Sequence, residues 1–276
     1  MIKNEKLKWI NIPIWIVSIF VMIRIMMMGT VVADDNNFNM AIESFIIAIV
    51  SLFFLYVISG RKTFTYMNNK TGYTIKVLLP VLIFPALFFF FGIVEVFSEN
   101  PSNIENWPIN LLFGVFNMFL VGLYEETCFR ACACDAMLPV LRKTKHPFLL
   151  TALISSLVFG YVHVADTDLT DFQQILQFVL KIINTGLYGY TLMLAYYKTR
   201  NLFALAVIHG LNDLLPYFLY FIFAFPEIET TSSYTAGDTA TTVVYIVQLV
   251  FEIVVLHHVY KDITRNLDYK KTLEEW

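Results

Sequence analysis

Stretches of about 20 apolar residues return along the whole chain, at Trp9–Val32, Phe38–Ser59, Thr74–Phe97, Trp107–Met137, Pro147–Val164, Phe172–Tyr197, Leu202–Phe225 and Thr241–Tyr260. About 20 residues of α-helix, rising 1.5 Å each, cross the hydrocarbon core of a bilayer. Inside that core the backbone must satisfy its own N–H and C=O groups, which a helix does unaided. The expected fold is therefore all-α, a polytopic membrane helix bundle with about eight transmembrane helices. Composition agrees: 58% of residues are hydrophobic and 15% charged, against about 25% charged in soluble domains. A single integral membrane domain is expected over 1–276, with its motif-bearing core at about 107–225. The fourth run is too long for one straight crossing, so it is expected to bend or to run past the membrane surface. The first run is too long for the apolar part of a signal peptide and contains Arg24. It is read as a retained helix, although Val31-Val32-Ala33 loosely imitates a cleavage site.

The charges are sorted between alternate loops. Lys3, Lys6 and Lys8 precede the first run; Arg61, Lys62 and Lys70 follow the second; Arg142, Lys143 and Lys145 follow the fourth; Lys198 and Arg200 follow the sixth; Lys261, Arg265, Lys270 and Lys271 end the chain. The other loops carry acids instead: Asp34 and Asp35, Glu99 and Glu105, Asp166, Asp168 and Asp171, then Glu227, Glu229 and Asp238. Lys and Arg stay on the cytoplasmic side of a membrane, so both termini are expected to be cytoplasmic, which requires an even number of spans. Short basic clusters of this kind do not make a nucleic-acid surface, and no nucleic-acid partner is expected. The short loops and compact length suggest a bacterial plasma membrane.

Against that apolar background one segment stands out, Tyr124-Glu125-Glu126-Thr127-Cys128-Phe129-Arg130. Charge inside a membrane helix costs about 2.5–3.5 kcal/mol or more per group and needs a partner or a task. On a helix Glu126 and Arg130 share a face, in the favourable order of acid before base. Glu125 points about 100° away. One carboxylate is then neutralised and the other is free to act as a general base on water. Two later runs carry His163 and His209, and His209 shares a face with Asp213. A carboxylate and two histidines from three helices can hold a metal with an open position. They can equally hold a water and stabilise an oxyanion without one.

Cys128, Cys132 and Cys134 lie within seven residues. The spacing C-x3-C-x-C could in principle bind a metal, but these are read as small polarizable packing residues. His257 and His258 are read as surface residues at a helix end. Lys181 and Asn184 are read as structural. The run Phe88 to Phe91 is read as lipid-facing or packing.

The three motifs E-E-x-x-x-R (Glu125–Arg130), F-x-x-x-H (Phe159–His163) and H-x-x-x-[N/D] (His209–Asp213) occur in order, each on an apolar run. In this the chain resembles the CAAX-protease and bacteriocin-processing family of intramembrane proteases, also called the Abi family. The resemblance implies a glutamate-dependent peptidase. Glu125 would activate water, supported by Glu126 with Arg130. His163 would position the water or bind a metal. His209 and Asp213 would stabilise the oxyanion or complete a metal site, with Zn2+ or another divalent cation held by Glu125, His163 and His209. Metal-dependent and metal-independent chemistry both remain open. Asp213 stands where several members have asparagine, so it would be protonated, act as a ligand, or orient His209. H-E-x-x-H, G-x-S-G and G-x-G-D, the signatures of other intramembrane proteases, do not occur.

The expected activity is that of an intramembrane endopeptidase. It would act on a peptide or membrane-associated protein, in bacteriocin or peptide maturation, self-immunity, or CAAX-type C-terminal processing. The alternative is a non-proteolytic immunity or adaptor protein that binds a bacteriocin or a sensor kinase. A small transporter ranks third, because no matching pair of broken helices is apparent.

Overall fold

A computed structural model describes residues 5–29, 36–164, 169–225, 235–265, 267–274 and 276. Lys3, Val31-Val32-Ala33, Asp34, Asp35, Asp166, Asp168, Glu227 and Glu229 lie outside the described residues. In chain order the helices are α1 (Asn11–Met28), α2 (Asn36–Ser59), α3 (Thr71–Leu78), α4 (Ile83–Glu99), α5 (Trp107–Glu126), α6 (Ala133–Leu141), α7 (Pro147–Val162), α8 (Phe172–Thr199), α9 (Leu202–Tyr217), α10 (Thr239–Thr264) and α11 (Tyr269–Glu274). Among the described residues the sole extended pairing is an isolated bridge between Asn103 and Phe223.

Among the described residues seven helical segments are long and apolar enough to cross a membrane: Lys8–Met28, Asn37–Ser59, Thr71–Glu99, Trp107–Leu141, Phe172–Thr199, Leu202–Phe221 and Thr239–Thr264. The molecule is thus an all-α polytopic bundle. The expected eighth span is present as α7, but it is only 16 residues long. At 1.5 Å per residue that is about 24 Å, short of the roughly 30 Å hydrocarbon core. Two spans are broken between two α-helices. A 3-10 turn at Leu79–Leu82, carrying Pro80, joins α3 to α4. A π-helical stretch at Thr127–Cys132 joins α5 to α6, so the long fourth segment is interrupted at its charged centre. The seventh span stops earlier than its apolar composition suggests. Pro216 lies in the last turn of α9, and the chain then tightens into a 3-10 turn at Phe218–Phe221.

The lipid-facing perimeter is made of exposed apolar side chains such as Phe20, Phe53, Phe90, Phe91 and Val254. The interior holds Phe129, Phe159, Tyr196, Leu192, Met193 and Leu202. Two glycines set a close helix crossing, that of α5 with α9. A Cβ on Gly210 would stand 2.7 Å from the Met118 carbonyl oxygen, and one on Gly122 would meet the backbone of Ala206. Small residues let membrane helices approach backbone to backbone, where van der Waals packing replaces the hydrophobic effect as the driving force.

At one end of the bundle the Asp135 carboxylate is buried and accepts from Thr63 Oγ1 at 2.7 Å, Arg200 Nη2 at 3.2 Å, Trp276 Nε1 at 2.5 Å, and Ser59 Oγ. The Arg200 guanidinium lies 4.3 Å from the Trp276 ring centre. The 3-10 turn Glu5–Ile10 packs on α6 at this same end, so both extremities of the described chain meet there. At the opposite end Asp238 caps α10, accepting from the Thr241 backbone N–H at 2.8 Å and its hydroxyl at 2.6 Å. The Thr241 hydroxyl and then its amide hold the Asp238 carboxyl below the usual carboxylate range.

Candidate active site

The polar centre forms where the π-helical stretch faces α9, α7 and α8. A π turn takes one residue more than an α turn and occurs often at functional sites. It leaves backbone carbonyls in need of partners, and distant side chains supply them. Trp15 Nε1 on α1 donates to the Cys128 carbonyl at 3.0 Å, and Ser155 Oγ on α7 donates to the Phe129 carbonyl. The local distortion is therefore held by tertiary hydrogen bonds, as buried backbone groups require.

Glu126 and Arg130 are both fully buried, with Arg130 Nε 3.1 Å from Glu126 Oε2. The approach is close but not aligned as a hydrogen bond, and the guanidinium nitrogens make no other hydrogen bond to described residues. Instead the guanidinium lies 4.2 Å from the centre of the Phe159 ring, a cation–π contact. The other oxygen of Glu126, Oε1, accepts from His209 Nδ1 at 2.6 Å. His209 Nε2 then faces two further carboxylates, Glu125 Oε2 at 3.3 Å and Asp213 Oδ2 at 3.5 Å. Glu125 is buried, while the Asp213 side chain is 29% exposed. Asn212 Nδ2 donates to Asp213 Oδ1 at 3.2 Å.

His163 closes the last turn of α7. Its Nδ1 lies 2.8 Å from the Phe159 carbonyl oxygen. A carbonyl only accepts, so Nδ1 carries a proton, and in the neutral ring Nε2 keeps its lone pair. The Phe159 ring stands edge-on to both imidazoles, with centroids 4.6 Å from His163 and 6.0 Å from His209. Direct contacts therefore join Glu125, Glu126, Arg130, His209 and Asp213, and His163 stands one aromatic ring away from them.

Tyr188 and the two donors to the π turn are what the sequence did not point to. The Tyr188 ring stands edge-on to His209 at 5.2 Å, and its hydroxyl is buried without a hydrogen bond to described residues. A tyrosine between Gly186 and Gly189 on an apolar helix was the available sign. Cys128, Cys132 and Cys134 are free and buried. Asn184 Nδ2 donates to the Tyr245 carbonyl at 2.9 Å, and Lys181 Nζ lies 5.9 Å from the Tyr245 ring centre. His257 and His258 are exposed.

The donor set for a metal can be tested on this geometry. Among the described residues no group of three or more His, Cys, Asp or Glu side chains is arranged to hold a metal ion. The Phe159 ring packs edge-on against both imidazoles, and His209 bonds Glu126 through Nδ1, which leaves its Nε2 directed at Glu125 and Asp213. As placed, Glu125, His163 and His209 are not gathered as a three-ligand set.

A polytopic helical membrane protein with glutamates, histidines and an arginine collected in its interior is a membrane protein built around a buried polar cluster. Residues 106–215 match the family model described as Type II CAAX prenyl endopeptidase Rce1-like. That is a family of membrane proteases, and the matched segment carries all three motifs and every residue of the polar cluster. No curated protein and no solved structure gives a significant match.

Proposed function

We propose that this protein is an intramembrane endopeptidase in which Glu125 activates water for attack on an amide bond. The observation that carries the reading is the bracketing of both glutamates by one imidazole: His209 meets Glu126 at 2.6 Å through Nδ1 and Glu125 at 3.3 Å through Nε2. Arg130 and His209 together immobilise Glu126, which leaves Glu125 to do chemistry.

In the proposed reaction a water is hydrogen-bonded to the Glu125 carboxylate. Glu125 accepts a proton as the water oxygen bonds to the scissile carbonyl carbon. The carbonyl oxygen becomes an oxyanion and takes a hydrogen bond from His209 Nε2–H, which Asp213 orients. Glu125 then passes its proton to the amide nitrogen as the C–N bond breaks, giving a carboxylic acid and an amine. No step requires a metal, and elemental analysis of active purified protein tests that directly.

The substrate in this reading is a peptide or membrane-associated protein presented at or within the bilayer, as in peptide maturation or C-terminal processing. Both termini are assigned to the cytoplasm from the charge sorting. The test is comparative peptidomics of native cells carrying the wild type or Glu125→Gln. Substrate fragments lost in the variant, with protein level unchanged, support the proposal. An unchanged fragment pattern together with a retained biological effect would instead favour a non-proteolytic adaptor.

A further inference from the structure

Away from the reaction centre, the end of the bundle that holds Asp135 carries a cleft of about 380 Å³ between α3 and the last turns of α10. Lys76 comes from α3, and His258, Lys261 and Arg265 from α10 and its C-cap. Lys76 is well over a hundred positions from the other three in sequence and meets them only through the fold. Asp262, the one acid among the described residues lining the cleft, is already engaged: Tyr73 Oη lies 3.1 Å from its Oδ2, and Lys198 Nζ donates to Tyr73 Oη at 2.6 Å. Lys76, Lys261 and Arg265 are all exposed. The cleft is thus cationic and open, and its volume falls within the usual range for small-ligand sites.

Its position selects the kind of anion. Lys76 lies near the start of the apolar segment Thr71–Glu99, and Lys261 near the end of Thr239–Thr264, which is the level of the headgroups in a membrane. Further into the bilayer, Phe84 and Phe251 stack at 5.6 Å and tie the two helical segments together. Leu79 and Ile83 on one segment and Val250, Ile253 and Val254 on the other are exposed apolar side chains, a surface suited to acyl chains. An arginine fork and two ammonium groups suit a phosphodiester, and basic pockets between membrane helices bind anionic headgroups.

We propose that this cleft binds the phosphate headgroup of an anionic phospholipid, with the acyl chains lying along α10 and α4. The shared chemistry with free phosphate is the anion; the apolar surface below it favours the lipid.

The experiment is thermal unfolding of the full chain in dodecyl maltoside, with dioleoyl phosphatidylglycerol, dioleoyl phosphatidylcholine or inorganic phosphate added. The expected result is a rise in Tm with phosphatidylglycerol that phosphatidylcholine and phosphate do not reproduce. In Lys261→Gln/Arg265→Gln the phosphatidylglycerol concentration needed should rise about tenfold. A control pair, Arg142→Gln/Lys145→Gln, removes the same charge from the α6–α7 loop and should respond as the wild type does. Equal effects of both lipids, an unaltered response in the cleft variant, or an equal loss in the control pair would each overturn the site. An equal rise with inorganic phosphate would overturn the lipid assignment. None of these outcomes depends on proteolysis, so failure here leaves the peptidase reading untouched.

Discussion

His209 Nδ1 and Glu126 Oε1 meet at 2.6 Å although 83 residues separate them in the chain. The bond ties α9 to the end of α5 at the point where the helix becomes π-helical. It also gives the two adjacent glutamates different duties. Glu126 is wedged between His209 and Arg130, while Glu125 touches His209 only through Nε2 and is not aligned as a hydrogen bond there.

The two glutamates should therefore fail in different ways. Glu126→Ala leaves Arg130 buried without its counter-charge and should cost about 3–5 kcal/mol of stability. Glu125→Gln keeps the shape and removes the base, so stability should hold while cleavage is lost. Thermal unfolding in detergent, run beside a cleavage assay, separates the two. Equal Tm losses in both variants would contradict the division of labour.

Arg130→Lys should lose activity although it keeps the charge. The arginine approaches Glu126 through Nε while its guanidinium carbon stands 4.2 Å from the centre of the Phe159 ring. An ammonium group is a point charge without a plane and cannot make both contacts. Misplacing Glu126, and through it His209, by about 1 Å is enough to lower kcat by roughly a hundredfold. Steady-state kinetics should show the loss in kcat, with KM little changed.

The π-helical stretch makes a third prediction, reached through residues far from the chemistry. Trp15→Phe removes the donor to the Cys128 carbonyl, and Ser155→Ala removes the donor to that of Phe129. A buried carbonyl left unpaired costs about 1–3 kcal/mol. The cheaper escape for the chain is to relax toward an ordinary α-helix, which rotates Arg130 relative to Glu126. Both variants should lower Tm by several degrees and lower cleavage further than their stability alone explains. A Tm loss with fully wild-type turnover would show that the π geometry is incidental.

The parts of this arrangement that sequence exposes are those carried by local periodicity. The pairing of Glu126 with Arg130 follows from a spacing of four, and the bundle follows from repeated apolar runs. That Glu125, His209 and Asp213 share a site was signalled by charged groups placed where charge is costly. Other features depend on partners that no local pattern records. The π turn is selected by Trp15 and Ser155, which lie over 100 residues apart from one another. The short α7 reads as a longer span because the run 148–162 is followed by Val164, yet the helix ends at Val162 and leaves His163 as its cap. The end of α9 was hidden for a related reason: an unbroken apolar composition continues past the proline that stops the helix. The Asp135 cluster joins Ser59, Thr63, Arg200 and Trp276, none of which is near another functional motif.

The crossing of α5 and α9 carries the last prediction, because it is what brings Glu125 and Glu126 within reach of His209. A methyl group at Gly210 would stand 2.7 Å from the Met118 carbonyl oxygen and 3.0 Å from the Phe119 Cα. Both are main-chain atoms and cannot swing aside as a side chain would. Gly210→Ala must then push the helices apart, at a cost of about 1–3 kcal/mol. The same shift lengthens the bond from His209, the neighbouring residue, to Glu126. Gly72→Ala supplies the control, since nothing lies within 4 Å of its added methyl and it sits in an exposed turn of α3. Gly210→Ala should lower both Tm and cleavage, and Gly72→Ala should leave both within error. If Gly210→Ala kept wild-type cleavage, the close crossing would not be what positions the glutamates against the imidazole.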